Sequence, residues 1–246
     1  MPKLLVTAQP AMWAHAQQLE TGWLTESEQI RLAAMQHQQR RQEFVACRYA
    51  LRSLLANATE TTVEHWWLDA PEDRAPRLNA QRHGAQAVAA THLTLSHSGS
   101  YLACAVAAQP VGVDIEVENS RSANRDALAL AALACSAYEA QQLRAIDCEL
   151  SRRSMFVQWW SLKEAYFKCL GTGVDFLSIQ RIECRLAVDD VAQPLAHGRS
   201  WSGNTTLGQD VVLSACSLHS TMRPCAILGS DDILWRGQSD WVLVAC

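Results

Sequence analysis

The sequence predicts an α+β fold built as two similar halves, each a small, mostly antiparallel sheet packed with helices. Two observations and the size of the chain carry that expectation. A helical stretch is followed by strand-like runs, and the same order then repeats later in the chain. Turn residues join neighbouring strand-like runs, the pattern of a hairpin. At 246 residues, with 49% hydrophobic and 19% charged residues, the chain holds ample apolar material for a core. Its length suits one large domain or two of about 100–150 residues. The expected halves are residues 1–108 and 109–246.

The elements follow in order. Leu4-Leu5-Val6 reads as a short strand. A helical region is expected over about residues 25–56, opened by a Thr25-Glu26-Ser27-Glu28 capping box. Phe44, Leu51, Leu54 and Leu55 recur at helical spacing and mark its apolar face. Arg31, Arg40, Arg41, Arg48 and Arg52 are expected on the other face, as the densest basic patch of the chain. Residues 68–86, rich in Pro, Asp, Arg and Gly, read as a loop. Residues 91–96 and 101–107 read as strands joined by a turn, His97-Ser98-Gly99-Ser100. The next run alternates: Val111, Val113, Ile115 and Val117 share one face, and Gly112, Asp114, Glu116 and Glu118 the other. After a polar break at 119–124 come an Ala- and Leu-rich helix and a second capping box, Ser136-Ala137-Tyr138-Glu139. The most amphipathic helical segment covers 154–170 and is stopped by Gly171-Thr172-Gly173. Strand-like runs at 179–187, 211–218, 225–228 and 241–245 complete the chain.

A net charge of −4 disfavours a dedicated nucleic-acid binder, which carries a basic surplus. An anionic ligand must therefore be held by a local cluster. The nine cysteines are odd in number, scattered and without C-x-x-C, and read as buried apolar residues in a reducing compartment. The apolar run in the first ten residues is too brief for a signal peptide, and no stretch approaches the ~18 apolar residues of a membrane span. A cytoplasmic protein with no membrane or nucleic-acid partner is expected.

Three constellations are able to carry chemistry. Asp114 and Glu116, at i and i+2 on a strand, project from one face about 6.5–7 Å apart and suit a hard cation such as Mg²⁺. A solvated strand face explains the same pattern. Glu164 and Lys168, at i and i+4 on a helix and flanked by Trp159, Trp160, Tyr166 and Phe167, form either a surface ion pair or a shielded carboxylate serving as ligand or base. Ser96-His97-Ser98-Gly99 is either a plain turn or a place where side chains and amides converge on an anion. There is no P-loop, no dinucleotide-binding glycine fingerprint, no H-E-x-x-H, no G-x-S-x-G and no zinc-spaced Cys/His set.

Taken together, Leu93-Thr94-Leu95-Ser96-His97-Ser98-Gly99, then Val111-Gly112-Val113-Asp114-Ile115-Glu116, then Trp160-Ser161-Leu162-Lys163-Glu164-Ala165-Tyr166-Phe167-Lys168 resemble the 4′-phosphopantetheinyl transferases of the surfactin-synthetase type. Leu24-Thr25 with Arg31, and the run from Phe44 to Arg52, are similar to that family's first helical region, so the resemblance covers roughly residues 20–190. It implies a monomeric pseudo-dimer of α+β halves, the first contributing to coenzyme A binding and the second carrying the metal and catalytic residues. The implied reaction transfers the phosphopantetheine arm of coenzyme A to a serine of an apo acyl or peptidyl carrier protein and releases adenosine 3′,5′-bisphosphate. By motif, Asp114, Glu116 and Glu164 are implied ligands of Mg²⁺, with Mn²⁺ as the alternative ion. Glu164 is the implied base, acting directly or through a water, and Lys168 is implied to neutralise the leaving bisphosphate. Ser96, His97, Arg31, Arg48, Lys163 and Lys168 are implied contacts of coenzyme A, and Glu139 matches a further family glutamate. The family's G-[KR]-P is replaced here by Asp73-Arg74-Ala75-Pro76-Arg77, so Arg74 or Arg77 is expected to supply its basic residue. Two other readings are a catalytically inactive binder of coenzyme A or carrier protein with the same fold, and a different Mg²⁺-dependent phosphotransferase or nucleotide hydrolase.

Overall fold

The computed structural model describes residues 2–20, 22–71, 75–119, 126–187, 193–219 and 227–246. In chain order the elements are β1 (Lys3–Ala8), α1 (Gln9–Ala16), α2 (Glu26–Ala34), α3 (Gln38–Thr59), β2 (Leu68–Asp69), β3 (Arg77–Leu78), α4 (Ala80–Ala89), β4 (His92–Ser98), β5 (Tyr101–Ala107) and β6 (Val111–Val117). Then come α5 (Ala127–Ala134), α6 (Ala137–Arg144), α7 (Glu149–Leu170), β7 (Ile182–Leu186), β8 (Ala196–Thr205), β9 (Asp210–Ser217), β10 (Ile227–Leu228) and β11 (Ile233–Ala245). This is the expected α+β class. There are two compact units, one of Met1–Val111 with Pro224–Ser230, the other of Gly112–Arg223 with Asp231–Cys246. Among the described residues no helix is long and apolar enough to cross a membrane.

The first unit is built on a sheet ordered β10-β1-β5-β4, antiparallel except where β10 runs parallel to β1. Ala46, Ala50, Leu51 and Leu54 of α3 pack with Leu102 and Cys104 of β5. The expected helical region divides into α2 and α3, with Met35 extended just after α2, and its capping box is formed: Thr25 Oγ1 accepts from Glu28 N, and Glu28 Oε2 accepts from Thr25 N. Two of the five arginines expected to form the basic patch, Arg48 and Arg52, are buried. Glu28 is fully buried, and a buried carboxylate must be paired; it draws in Arg52, whose two terminal nitrogens lie 2.6 and 3.0 Å from its oxygens, and Arg48 at 3.6 Å.

The loop expected at 68–86 is corrected, because β2 pairs with β3 and α4 comes next. Single apolar anchors, Leu68 and Leu78, enter the core from within a Pro/Asp/Arg/Gly-rich stretch, and Asn79 caps α4 by accepting from Arg82 N at 3.0 Å. The hairpin turn is also tighter than expected. His97 pairs with Leu102 and Ser98 with Tyr101, leaving only Gly99, at φ 57°, and Ser100 in the turn.

The second unit holds a five-stranded sheet, β6-β9-β8-β11-β7, covered by α7. The face of β6 carrying Gly112, Asp114 and Glu116 is not a solvated one. A Cβ at Gly112 would lie 1.7 Å from Ala165 O, so this glycine is what admits α7 against the strand. α7 runs from Glu149, through residues 154–170, to a left-handed Gly171 at φ 72°. β8 escaped the sequence reading; its Gly-, Ser- and Asn-rich run becomes a strand between β9 and β11 because partners on both sides satisfy its backbone.

Candidate metal and active site

Strand period places Asp114 and Glu116 on the same face of β6, and one helical turn separates Glu164 from Lys168 on α7. The close approach at Gly112 brings the two pairs together. One oxygen from each of Asp114, Glu116 and Glu164 lies within 4.8 Å of the others. Lys168 Nζ is 2.6 Å from Asp114 Oδ1 and 3.5 Å from Glu164 Oε2. Asp114 is only 1% exposed, whereas Glu116 and Glu164 are half-buried.

Asp114 and Glu164 thus share the ammonium of Lys168, with Glu116 beside them. Burial and the charge of Asp114 push the Glu164 carboxyl up to about 7, against the opposing pull of Lys168. Burial alone would lower the Lys168 pKa, but Asp114 and Glu164 outweigh it and hold it above the usual lysine value. Three hard oxygen donors at this spacing fit a divalent cation of the Mg²⁺ type.

Further groups complete the surroundings. Trp160, one turn before Glu164, donates its indole N–H to Glu116 Oε1 at 3.1 Å, and its ring lies 6.3 Å from that of Phe176. A cavity of about 360 Å³ is lined by Trp160 and Phe176, by the aliphatic Leu133 and Leu150, and by Glu116 and Glu164. The sequence had offered Trp160 only as shielding for Glu164; its hydrogen bond spans 44 residues, beyond any local pattern.

Lys163, expected to contact coenzyme A, requires a correction. Its ammonium is 1% exposed and donates to Glu139 Oε2 at 2.6 Å, Ala134 O at 2.8 Å and Ile179 O at 3.3 Å, which uses all three of its donors. Glu139 is more than a capping residue. It also accepts from Ser136 N and Cys184 N, so one buried carboxylate ties α6, α7 and β7 together.

The remaining expected contacts lie in the first unit. Arg31 is half-buried and donates to Pro71 O at 2.8 Å. Arg48 is buried over the Phe44 ring, its Nε and Nη1 have no hydrogen-bond partner, and burial lowers its pKa to about 10. Arg77 is exposed, 3.6 Å from Asp69 Oδ2, and Arg74 lies outside the described residues. Ser96 and His97 do not converge on one anion from a turn. They are consecutive residues of β4, so their side chains leave opposite faces, Ser96 buried and His97 exposed.

Among known proteins, residues 110–216 match the model of the 4′-phosphopantetheinyl transferase superfamily. The particular relatives agree with the resemblance read from the motifs. The chain is 36% identical over 101 residues to the 4′-phosphopantetheinyl transferase psf-1 of Bacillus pumilus, covering 41% of this chain and 40% of that protein. It is 28% identical over 131 residues to the 4′-phosphopantetheinyl transferase Sfp of Bacillus subtilis, covering 52% of this chain and 55% of that protein. The chain thus spans about half the length of these curated relatives or less.

Proposed function

We propose that the chain is a 4′-phosphopantetheinyl transferase that moves the phosphopantetheine arm of coenzyme A onto a serine hydroxyl of an apo acyl or peptidyl carrier protein. The observation that carries this reading is the meeting of Asp114, Glu116 and Glu164 within the segment that matches the superfamily. The serine oxygen forms a bond to the phosphorus bearing the pantetheine. The bond from that phosphorus to the bridging oxygen breaks, and adenosine 3′,5′-bisphosphate leaves.

Glu164 takes the serine proton in this reading, directly or through a water, because it is a half-buried carboxylate beside the reacting diphosphate's proposed cation. Lys168, already paired with Asp114, offers positive charge to the leaving bisphosphate. When bound by Asp114, Glu116 and Glu164, Mg²⁺ or Mn²⁺ supplies charge neutralisation at the diphosphate. Arg31, Arg48, Arg74 or Arg77, and His97 are proposed phosphate contacts of coenzyme A. The reading assigns those contacts to residues 1–108 and the chemistry to residues 109–246, in a monomeric cytoplasmic enzyme without membrane or nucleic-acid partners.

The test is incubation with several purified apo carriers, coenzyme A and Mg²⁺, followed by intact-mass measurement. At least one carrier is expected to gain the mass of one phosphopantetheine, and EDTA is expected to abolish the gain. Binding of coenzyme A without any mass gain across the panel would favour the inactive-binder reading. Nucleotide turnover without a carrier would favour the hydrolase reading.

A further inference from the structure

The indole of Trp160 links two features that the motifs treat separately. It lines the apolar cavity beside Phe176, and its N–H reaches back to Oε1 of Glu116, on the strand facing α7. Glutamate has three side-chain torsions, and a ligand that samples several rotamers binds a cation less well than one held in place. Tryptophan is a donor only, and a neutral one. It can therefore orient the Glu116 carboxylate without cancelling the charge that a cation needs, which an arginine or lysine at this position would do.

Because Trp160 lies one turn before Glu164, its hydrogen bond also ties the strand carboxylate to the helix that carries the third carboxylate. We infer that Trp160 is a positioning residue, holding Glu116 in register with Glu164 so that the carboxylate cluster is pre-arranged for a divalent ion. The inference rests on the reading that Asp114, Glu116 and Glu164 hold such an ion. What it adds is that a cavity-wall residue sets the cluster's affinity.

The experiment measures Mn²⁺ binding by electron paramagnetic resonance, without coenzyme A or carrier. It compares the parent, Trp160→Phe, and a variant carrying benzothienylalanine at position 160, which keeps the bicyclic shape and replaces N–H by sulfur. Loss of an outer-shell partner typically weakens metal binding about 10–100-fold, so both variants are expected to bind Mn²⁺ at least about tenfold more weakly. In the transfer assay the metal concentration for half-maximal rate should rise by a similar factor, while the rate at saturating metal stays within about twofold of the parent. A benzothienylalanine variant that binds Mn²⁺ as tightly as the parent overturns the inference, whatever the fate of Trp160→Phe. Parent protein that binds no Mn²⁺ overturns the metal reading and this inference together; parent binding with unchanged variants sinks this inference alone.

Discussion

Alanine in place of Gly112 is expected to part β6 from α7. Its Cβ would stand 1.7 Å from Ala165 O and 2.6 Å from Cys169 N, where an unstrained contact needs about 3.5 Å. Both obstacles are main-chain atoms of α7, so no side-chain rotation clears them, and strand and helix must separate by about 1–2 Å. Overpacking of this kind costs about 1–3 kcal/mol, and a clash with backbone belongs at the upper end. For a chain of this length the melting temperature should fall by about 4–12 °C. Asp114, two residues along, moves with the strand, which stretches its 2.6 Å contact with Lys168 and spreads the three carboxylates. Misplacement by about 1 Å can cost about 100-fold in rate, so the variant should transfer phosphopantetheine at no more than about 1% of the parent rate. Thermal unfolding checks the packing and the initial rate of carrier modification checks the site. A Gly112→Ala protein with parental melting temperature and parental rate would refute the claim that a missing side chain sets this strand–helix spacing.

Glu164→Gln is expected to lower the transfer rate far more than it weakens coenzyme A binding, as steady-state rates beside calorimetric titration will show; a parental rate would move the base elsewhere. Lys163→Met should destabilise the protein by about 3–5 kcal/mol in denaturant unfolding, because Glu139 is left charged and buried, while the double change Lys163→Met with Glu139→Gln should recover much of the loss. His83 accepts a hydrogen bond from Trp67 N at Nε2, and burial, with His65 close by, lowers its pKa below 6.5. The unfolded chain then binds the proton more readily, so this contribution is complete above pH 6.5 and is lost as the pH falls through the lower folded value. Melting curves at stepped pH should show an acid-side slope that His83→Asn reduces.

Much of the fold was legible because it is signalled locally. Both capping boxes, the alternation of β6 and the glycine stop after Leu170 are written within a few residues of where they act. The pairs Asp114/Glu116 and Glu164/Lys168 each follow from one element's period, but no period says that β6 faces α7; that juxtaposition entered through the family resemblance. What stayed hidden depends on distant partners. β8 is a strand because of its neighbours, Arg48 and Arg52 turn inward because Glu28 is buried, and Lys163 is consumed by Glu139, 24 residues away. The Ser96-His97 pair was misplaced for a smaller reason: a two-residue turn carries the strand further than composition suggests, and one step along a strand reverses the side a residue faces.

The two residues of β10 have an effect out of proportion to their number. They lay a border along the open flank of β1, yet the ribosome delivers them only after all but the last strand has been made. Until then β1 offers unpaired amides and carbonyls to any extended peptide in reach. A fragment ending near Val111 would keep that flank bare, so the first unit calls for expression in one piece with the second, or with residues 227–230 grafted back.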